Sequence, residues 1–203
     1  MNYIKLLHIE GFKKFVSLDV PFNEHMNILV GENEAGKSTI LDALKTVLNQ
    51  QYRTADKSVL RDLFNAQMVA EFRANPSVNT LPKIYIEVEL VLDPQEKNAS
   101  YFYGEVYGRR QQQTEKYGIR FECKYDEELG VGMEQSILEG KIPYEYYALT
   151  WTTFANRPYQ IIKRPLNFLS IDTTNGAAAS SFNYYNRTLF TSRYDEATRA
   201  RDK

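Results

Sequence analysis

The chain has 203 residues, 43% of them apolar and 25% charged, which suits one domain with a core plus an appendage and excludes a disordered or fibrous chain. Its 25 Lys and Arg against 26 Asp and Glu leave a net charge of -1, so no global field recruits nucleic acid, and only a local basic patch could do so. The single cysteine, Cys123, excludes an internal disulfide and a multi-cysteine metal site and fits a reducing cytoplasm; two histidines, His8 and His25, make imidazole catalysis a poor expectation; and no stretch reaches the roughly 18 apolar residues of a membrane span.

Tyr3 to Glu10 and Val16 to Phe22 are rich in strand formers, and GFKKF between them reads as a hairpin connection. Asn27 to Val30 (NILV) is a short apolar run entering a glycine, the pattern of a strand buried on both faces. After Gly31 to Thr39, the residues Ile40, Leu41, Ala43, Leu44, Val47 and Leu48 repeat at helical spacing and predict a core-facing helix that ends near Asn49. A second helix is expected from Ser58 to Arg73, with Val59, Leu60, Leu63, Phe64, Val69 and Phe72 on one face and Asn75-Pro76 as its stop.

From Lys83 the period changes to two. Ile84, Ile86, Val88 and Leu90 alternate with Tyr85, Glu87 and Glu89, which predicts a half-exposed antiparallel strand with both glutamates in water. Tyr101 to Tyr107, Tyr117 to Tyr125 and Glu145 to Trp151 are aromatic-rich strand segments that continue an antiparallel meander, and Cys123 in the second is expected to be a small packing residue. Pro165 to Ile171 (PLNFLSI) reads as the last apolar strand, ending at Asp172. TTNGAAASS and the charged Phe182 to Lys203 follow it. This divides the chain into residues 1–172 as one lobe and 173–203 as a polar C-terminal segment.

The chemistry is concentrated in GENEAGKST, Gly31 to Thr39, which has the spacing Gly-x-x-x-x-Gly-Lys-Ser of a phosphate-binding loop. Glycines let successive backbone N–H groups converge on one anion at the positive end of the following helix. The expected contacts run through Gly31, Asn33, Glu34, Ala35 and Gly36. Lys37 bridges the β- and γ-phosphates, Ser38 places its hydroxyl on Mg²⁺, and Thr39 faces the α-phosphate. A strand before the loop and a helix after it are the required surroundings, so the expected cofactors are ATP and Mg²⁺. Guanine is disfavoured because the NKxD and DxxG elements are absent.

The form G-x-N-x-x-G-K-S-T, the opening Ile4 to Phe15 with its basic corner, and the order strand, corner, strand, loop, helix, helix, IYIEVEL together resemble the ABC-class ATPases of DNA metabolism. These include the RecF, SMC and OLD (overcoming lysogenization defect) families. In those families the corner reads N-F-[KR]-x-[FY], and here Gly11 stands in place of the Asn. PLNFLSID makes the OLD-type ATP-dependent endonucleases the nearest likeness. The resemblance implies an α/β P-loop fold, ABC-ATPase-like, forming an N-terminal lobe with a mixed central sheet and an antiparallel β subdomain. It implies Lys13 or Lys14 beside the nucleotide, a homodimer that sandwiches ATP, DNA as a partner through further domains, and a role in DNA processing or phage defence.

Two elements of such an ATPase are not in the sequence: an apolar strand ending in Asp-Glu and a signature loop of LSGGQ type. Phe168 to Asp172 ends in Asp, but Thr173 follows it, and no acidic nuclease centre is visible. Catalytic residues are therefore unassigned. The expectation is an N-terminal lobe that binds ATP and hydrolyses it poorly alone. A competing reading is a self-contained small P-loop kinase using Asp172 for Mg²⁺ and Arg157, Lys163 or Arg164 as charge clamps, and a third is a module that holds nucleotide structurally.

Overall fold

The N-terminal strand formers make a hairpin, β1 (Tyr3–Phe12) and β2 (Phe15–Pro21), closed by a tight turn at Lys13 and Lys14 with Phe12 opposite Phe15. These are coordinates of a computed structural model, which describes residues 2–93, 95–96, 98–105 and 115–166. β1 continues into a sheet with β3 (Ile84–Val91) and β5 (Glu115–Tyr125), while β4 (Tyr103–Glu105) and β6 (Tyr147–Thr153) share the far edge of β5. Every described strand pair is antiparallel.

Period-two alternation divides this sheet into two chemically distinct faces. Leu7 and Ile9 on β1 lie opposite Val88 and Ile86, which lie opposite Ile119 and Phe121, and Phe121 faces Trp151 on β6. All are buried, and α1 (Lys37–Leu48) packs Ala43, Leu44, Val47 and Leu48 onto them, each larger side chain contributing about 1.5–3 kcal/mol of burial. The Trp151 indole N–H donates to the Thr46 carbonyl at 2.7 Å, which fixes the helix along the sheet. Cys123 is fully buried in this layer, and desolvation pushes its thiol up to about 12.

On the other face Asp19, His8, Glu87, Arg120 and Thr152 stand opposite one another across five strands. The expectation of water-exposed Glu87 and Glu89 is corrected here, since each is only 7% exposed. Glu87 accepts from Arg120 Nε at 2.9 Å and Tyr85 Oη at 2.5 Å; Glu89 lies 2.6 Å from Lys116 and 3.4 Å from Lys5. The Phe154 ring, 5.5 Å from the Arg120 guanidinium, helps cover the row. Alternation finds the face of a strand but not what the next strand sets against it.

Two further expectations change. The second helix is broken: after α2 (Leu60–Leu63), Phe64 and Asn65 are extended, and α3 (Ala66–Ala74) starts afresh. Pairing with the hairpin corner wins over helix continuation, because Phe64 bridges Phe12 and the Asn65 amide donates to Gly11 O at 3.0 Å. Asn27–Val30, expected as a doubly buried strand, has no strand partner among the described residues, and Met26, Ile28 and Val30 are 77%, 75% and 88% exposed. The sheet described here ends at β2 and offers that segment no neighbour.

Between β3 and β4 lies the short α4 (Ala99–Phe102), where a strand from Tyr101 was expected. α5 (Glu134–Leu138) lies between β5 and β6. Met1–Leu166 forms one unit. The expected strand of residues 165–171, apart from its first two residues, and the C-terminal segment 173–203 lie outside the described residues.

Candidate phosphate-binding site

The loop from Gly31 to Gly36 turns into α1 at Lys37, with Gly36 left-handed at φ 97°. No side chain caps the helix, so the first-turn amides of Lys37, Ser38 and Thr39 have no side-chain acceptor. A Cβ on Gly36 would collide with the Phe15 ring, which packs beneath the turn, so both conformation and space require glycine there. A Cβ on Gly31 would point into the loop, 3.1 Å from Ala35 Cβ and 4.0 Å from Lys37 Nζ. The loop is thus a concave, glycine-lined cradle at the positive end of a helix, which fits a polyphosphate.

Lys37 Nζ donates to the Gly31 carbonyl at 2.6 Å and the Glu32 carbonyl at 2.7 Å, holding the ammonium over the cradle. Glu32, Asn33, Glu34 and Ala35 line the exposed rim, and Ser38 is exposed while Thr39 is half-buried. No group of three or more His, Cys, Asp or Glu side chains converges to hold a metal among the described residues. Mg²⁺ here would be held by Ser38 Oγ together with phosphate oxygens, consistent with its preference for few protein ligands. When bound it would supply charge neutralisation between the phosphates.

The basic corner divides its work. Lys14 Nζ donates to the Glu34 carbonyl, reaching the loop itself, and Glu34 is held left-handed at φ 67°. Lys13, also left-handed at φ 48°, turns to α1 and pairs with Asp42 at 2.5 Å. The corner is anchored from behind. Lys13 N–H donates to Leu63 O at 2.7 Å, and Asn65 Nδ2 donates to Lys13 O at 2.8 Å while Asn65 Oδ1 caps α3. Gly11 has φ 69°, and a Cβ there would collide with the Lys83 carbonyl, which explains a glycine at this place.

Sequence reasoning named the loop and both lysines but missed Phe15, Asp42 and Asn65. Of these, Phe15 stands at the [FY] position of the basic corner and Asn65, an Asn just before Ala-Gln-Met, carried the signal of a helix cap, while Asp42 carried none.

Arg157, Lys163 and Arg164, the clamps of the kinase reading, gather elsewhere. Tyr159 between them donates its hydroxyl to Leu48 O at the last turn of α1. A helix of 12 residues is about 18 Å long, so these cations stand a helix length from the loop.

The family model AAA_23, described as an AAA domain, matches residues 6–184. The chain belongs to this family of AAA domains. It is an α/β, P-loop, ABC-ATPase-like lobe, and the curated proteins it is similar to include RecF proteins. The DNA replication and repair protein RecF of Clostridium acetobutylicum is 34% identical over 61 residues, covering 29% of this chain and 17% of RecF. RecF of Limosilactobacillus reuteri strain DSM 20016 is 29% identical over 84 residues, covering 41% and 22%. Urease accessory protein 2 of Cryptococcus neoformans var. grubii is 32% identical over 89 residues, covering 42% of this chain and 7% of that protein.

A solved structure from work on ATP-driven dimerization and DNA stimulated activation of SMC ATPases superposes with a TM-score of 0.42 at 17% identity, covering 93% of this chain and 98% of that one. The chain spans less than a quarter of the curated relatives named here. Among the described residues no helix is long and apolar enough to cross a membrane.

Proposed function

We propose that this AAA domain binds Mg²⁺·ATP through Gly31 to Thr39, as the nucleotide lobe of an OLD/RecF-like ABC-class ATPase. Its part is in DNA processing or phage defence, with ATP-driven pairing of two lobes and DNA engaged by the assembly. The observation that carries this reading is the cradle itself: Lys37 Nζ poised 2.6 and 2.7 Å from the loop carbonyls, over a helix start that no side chain caps. The printed name of the RecF relatives, a DNA replication and repair protein, supports the DNA assignment.

The lobe is incomplete as a hydrolase. Met26, Ile28 and Val30 present an apolar strip to water directly before the loop, where a buried strand belongs, so a neighbouring strand and the carboxylates that activate water would come from outside the described residues. The test is ATP turnover by the 203-residue chain, without and then with a small phosphoryl acceptor. Feeble turnover under both conditions is the expected result. Brisk phosphoryl transfer to a small acceptor by the chain alone would establish the kinase reading instead.

A further inference from the structure

We propose that Arg53, Arg157, Lys163 and Arg164, gathered at the C-terminal end of α1, form a surface that grips the phosphate backbone of duplex DNA. The inference rests on the functional reading above and names the surface by which the lobe would meet its nucleic acid.

A continuous set of contacts brings the four together. Tyr101 donates its hydroxyl to Pro158 O, and its ring carries Lys163 Nζ at 4.5 Å and the Arg157 guanidinium at 5.9 Å. Tyr159 reaches Leu48 O, and its own carbonyl accepts from Gln50 Nε2 at 2.9 Å, while Gln50 Oε1 accepts from Arg53 at 3.0 Å. Arg164 follows Lys163 directly, its amide donating to Ile161 O at 3.1 Å at the end of the same helical turn. Arg53 and Arg157 are exposed, and Lys163 and Arg164 are half-exposed.

Among the described residues none of the four forms an ion pair with a carboxylate. Glu96, which accepts from Asn2 beside Pro165, Asp93, whose amide donates to the same Asn2, and the negative end of α1 are the local counter-charges. Each carboxylate contributes one unit and a helix terminus about half of one, so the cluster keeps an excess of about +1.5 on a chain whose net charge is -1. Three of the four cations are arginines, whose planar forks match phosphate oxygens, and a cation seated on a ring still points its outer N–H groups to solvent.

The experiment is fluorescence anisotropy of the full chain with a 30-base-pair duplex of mixed sequence, titrated from 50 to 200 mM salt. Mg²⁺·ATP affinity is measured alongside by calorimetry. Each phosphate neutralised contributes about -0.9 to the slope of log K against log salt. The triple variant Arg157→Gln, Lys163→Gln, Arg164→Gln should therefore flatten the slope by about 3 and weaken binding at least roughly tenfold, with Mg²⁺·ATP affinity unchanged. Should that variant misfold, Arg53→Gln and Arg164→Gln, which touch no ring, should each flatten the slope by about 1.

Variants that bind duplex with the wild-type slope overturn the proposal and leave the nucleotide assignment standing, as does a wild type that binds Mg²⁺·ATP but ignores duplex. Poly-glutamate displacing the duplex at equal charge concentration also overturns it, assigning the patch to an acidic protein segment. A folded wild type that binds no Mg²⁺·ATP overturns the functional reading instead, a result the calorimetry registers separately.

Discussion

Asn65 performs two tasks with two atoms, and substitution separates them. Its Oδ1 accepts from the amides of Gln67 and Met68 at the start of α3, and its Nδ2 donates to the Lys13 carbonyl at 2.8 Å from a position only 5% exposed. Asn65→Ala loses both. A missing N-cap costs about 1 kcal/mol, and a buried carbonyl left without its donor costs about 1–3 kcal/mol, so the total is about 2–4 kcal/mol.

Asn65→Asp keeps the cap and adds negative charge at a helix start, which returns about 0.3–1 kcal/mol, but it still strips Lys13 O of its donor, leaving a net cost of about 1–2 kcal/mol. Urea unfolding with an unchanged m-value measures both variants. Because Lys13 and Lys14 form one turn, and Lys14 holds the Glu34 carbonyl, calorimetry of Asn65→Asp should also show Mg²⁺·ATP affinity weakened several-fold. An Asn65→Asp protein as stable as wild type and equally tight for nucleotide would refute the idea that Asn65 Nδ2 braces the basic corner.

Other expectations follow from the same packing. Gly36→Ala forces a left-handed alanine, at about 1–2 kcal/mol, against the Phe15 ring; nucleotide binding should be lost, and Phe15→Ala added to it should relieve the collision but not the backbone, so calorimetry should find only partial recovery. Burial pushes the Tyr159 hydroxyl up to about 12 from its ordinary 10. The raised folded value means that the stability from its neutral, Leu48-bonded form is complete below about pH 10 and is lost as pH rises toward 12; a Tyr159→Phe protein should show a shallower alkaline fall in thermal midpoint across that window. Cys123, fully buried and with its thiol pushed up to about 12, should resist a thiol reagent in the native chain and react at once in denaturant; native-state labelling within seconds would contradict its place in the sheet.

The bend and helix start at Gly31 to Thr39 were legible because their signal is local: nine consecutive residues specify them without help from distant chain. Helix α1 and strands β3 and β5 were legible for a related reason, since amphipathic period alone assigns them. The break at Phe64 and Asn65 was hidden because it exists only where the hairpin corner docks, a pairing with Gly11 and Phe12 more than 50 residues away in sequence. Glu87 and Glu89 misled for the same reason, as their burial depends on Arg120 and Lys116 arriving in register on β5. Asn27–Val30 shows the converse: its composition is that of a buried strand, and the described sheet has no neighbour for it.

The central claim is that the amides of the Gly31 to Thr39 bend, with Lys37 above them, grip a magnesium-chelated triphosphate. Calorimetric titration of Mg²⁺·ATP into the folded chain and into Lys37→Ala tests it most directly. Saturable one-to-one heat from the first and none from the second is the predicted result. A wild-type chain with a cooperative thermal transition that gives no heat with Mg²⁺·ATP or a slowly hydrolysed analogue would contradict it.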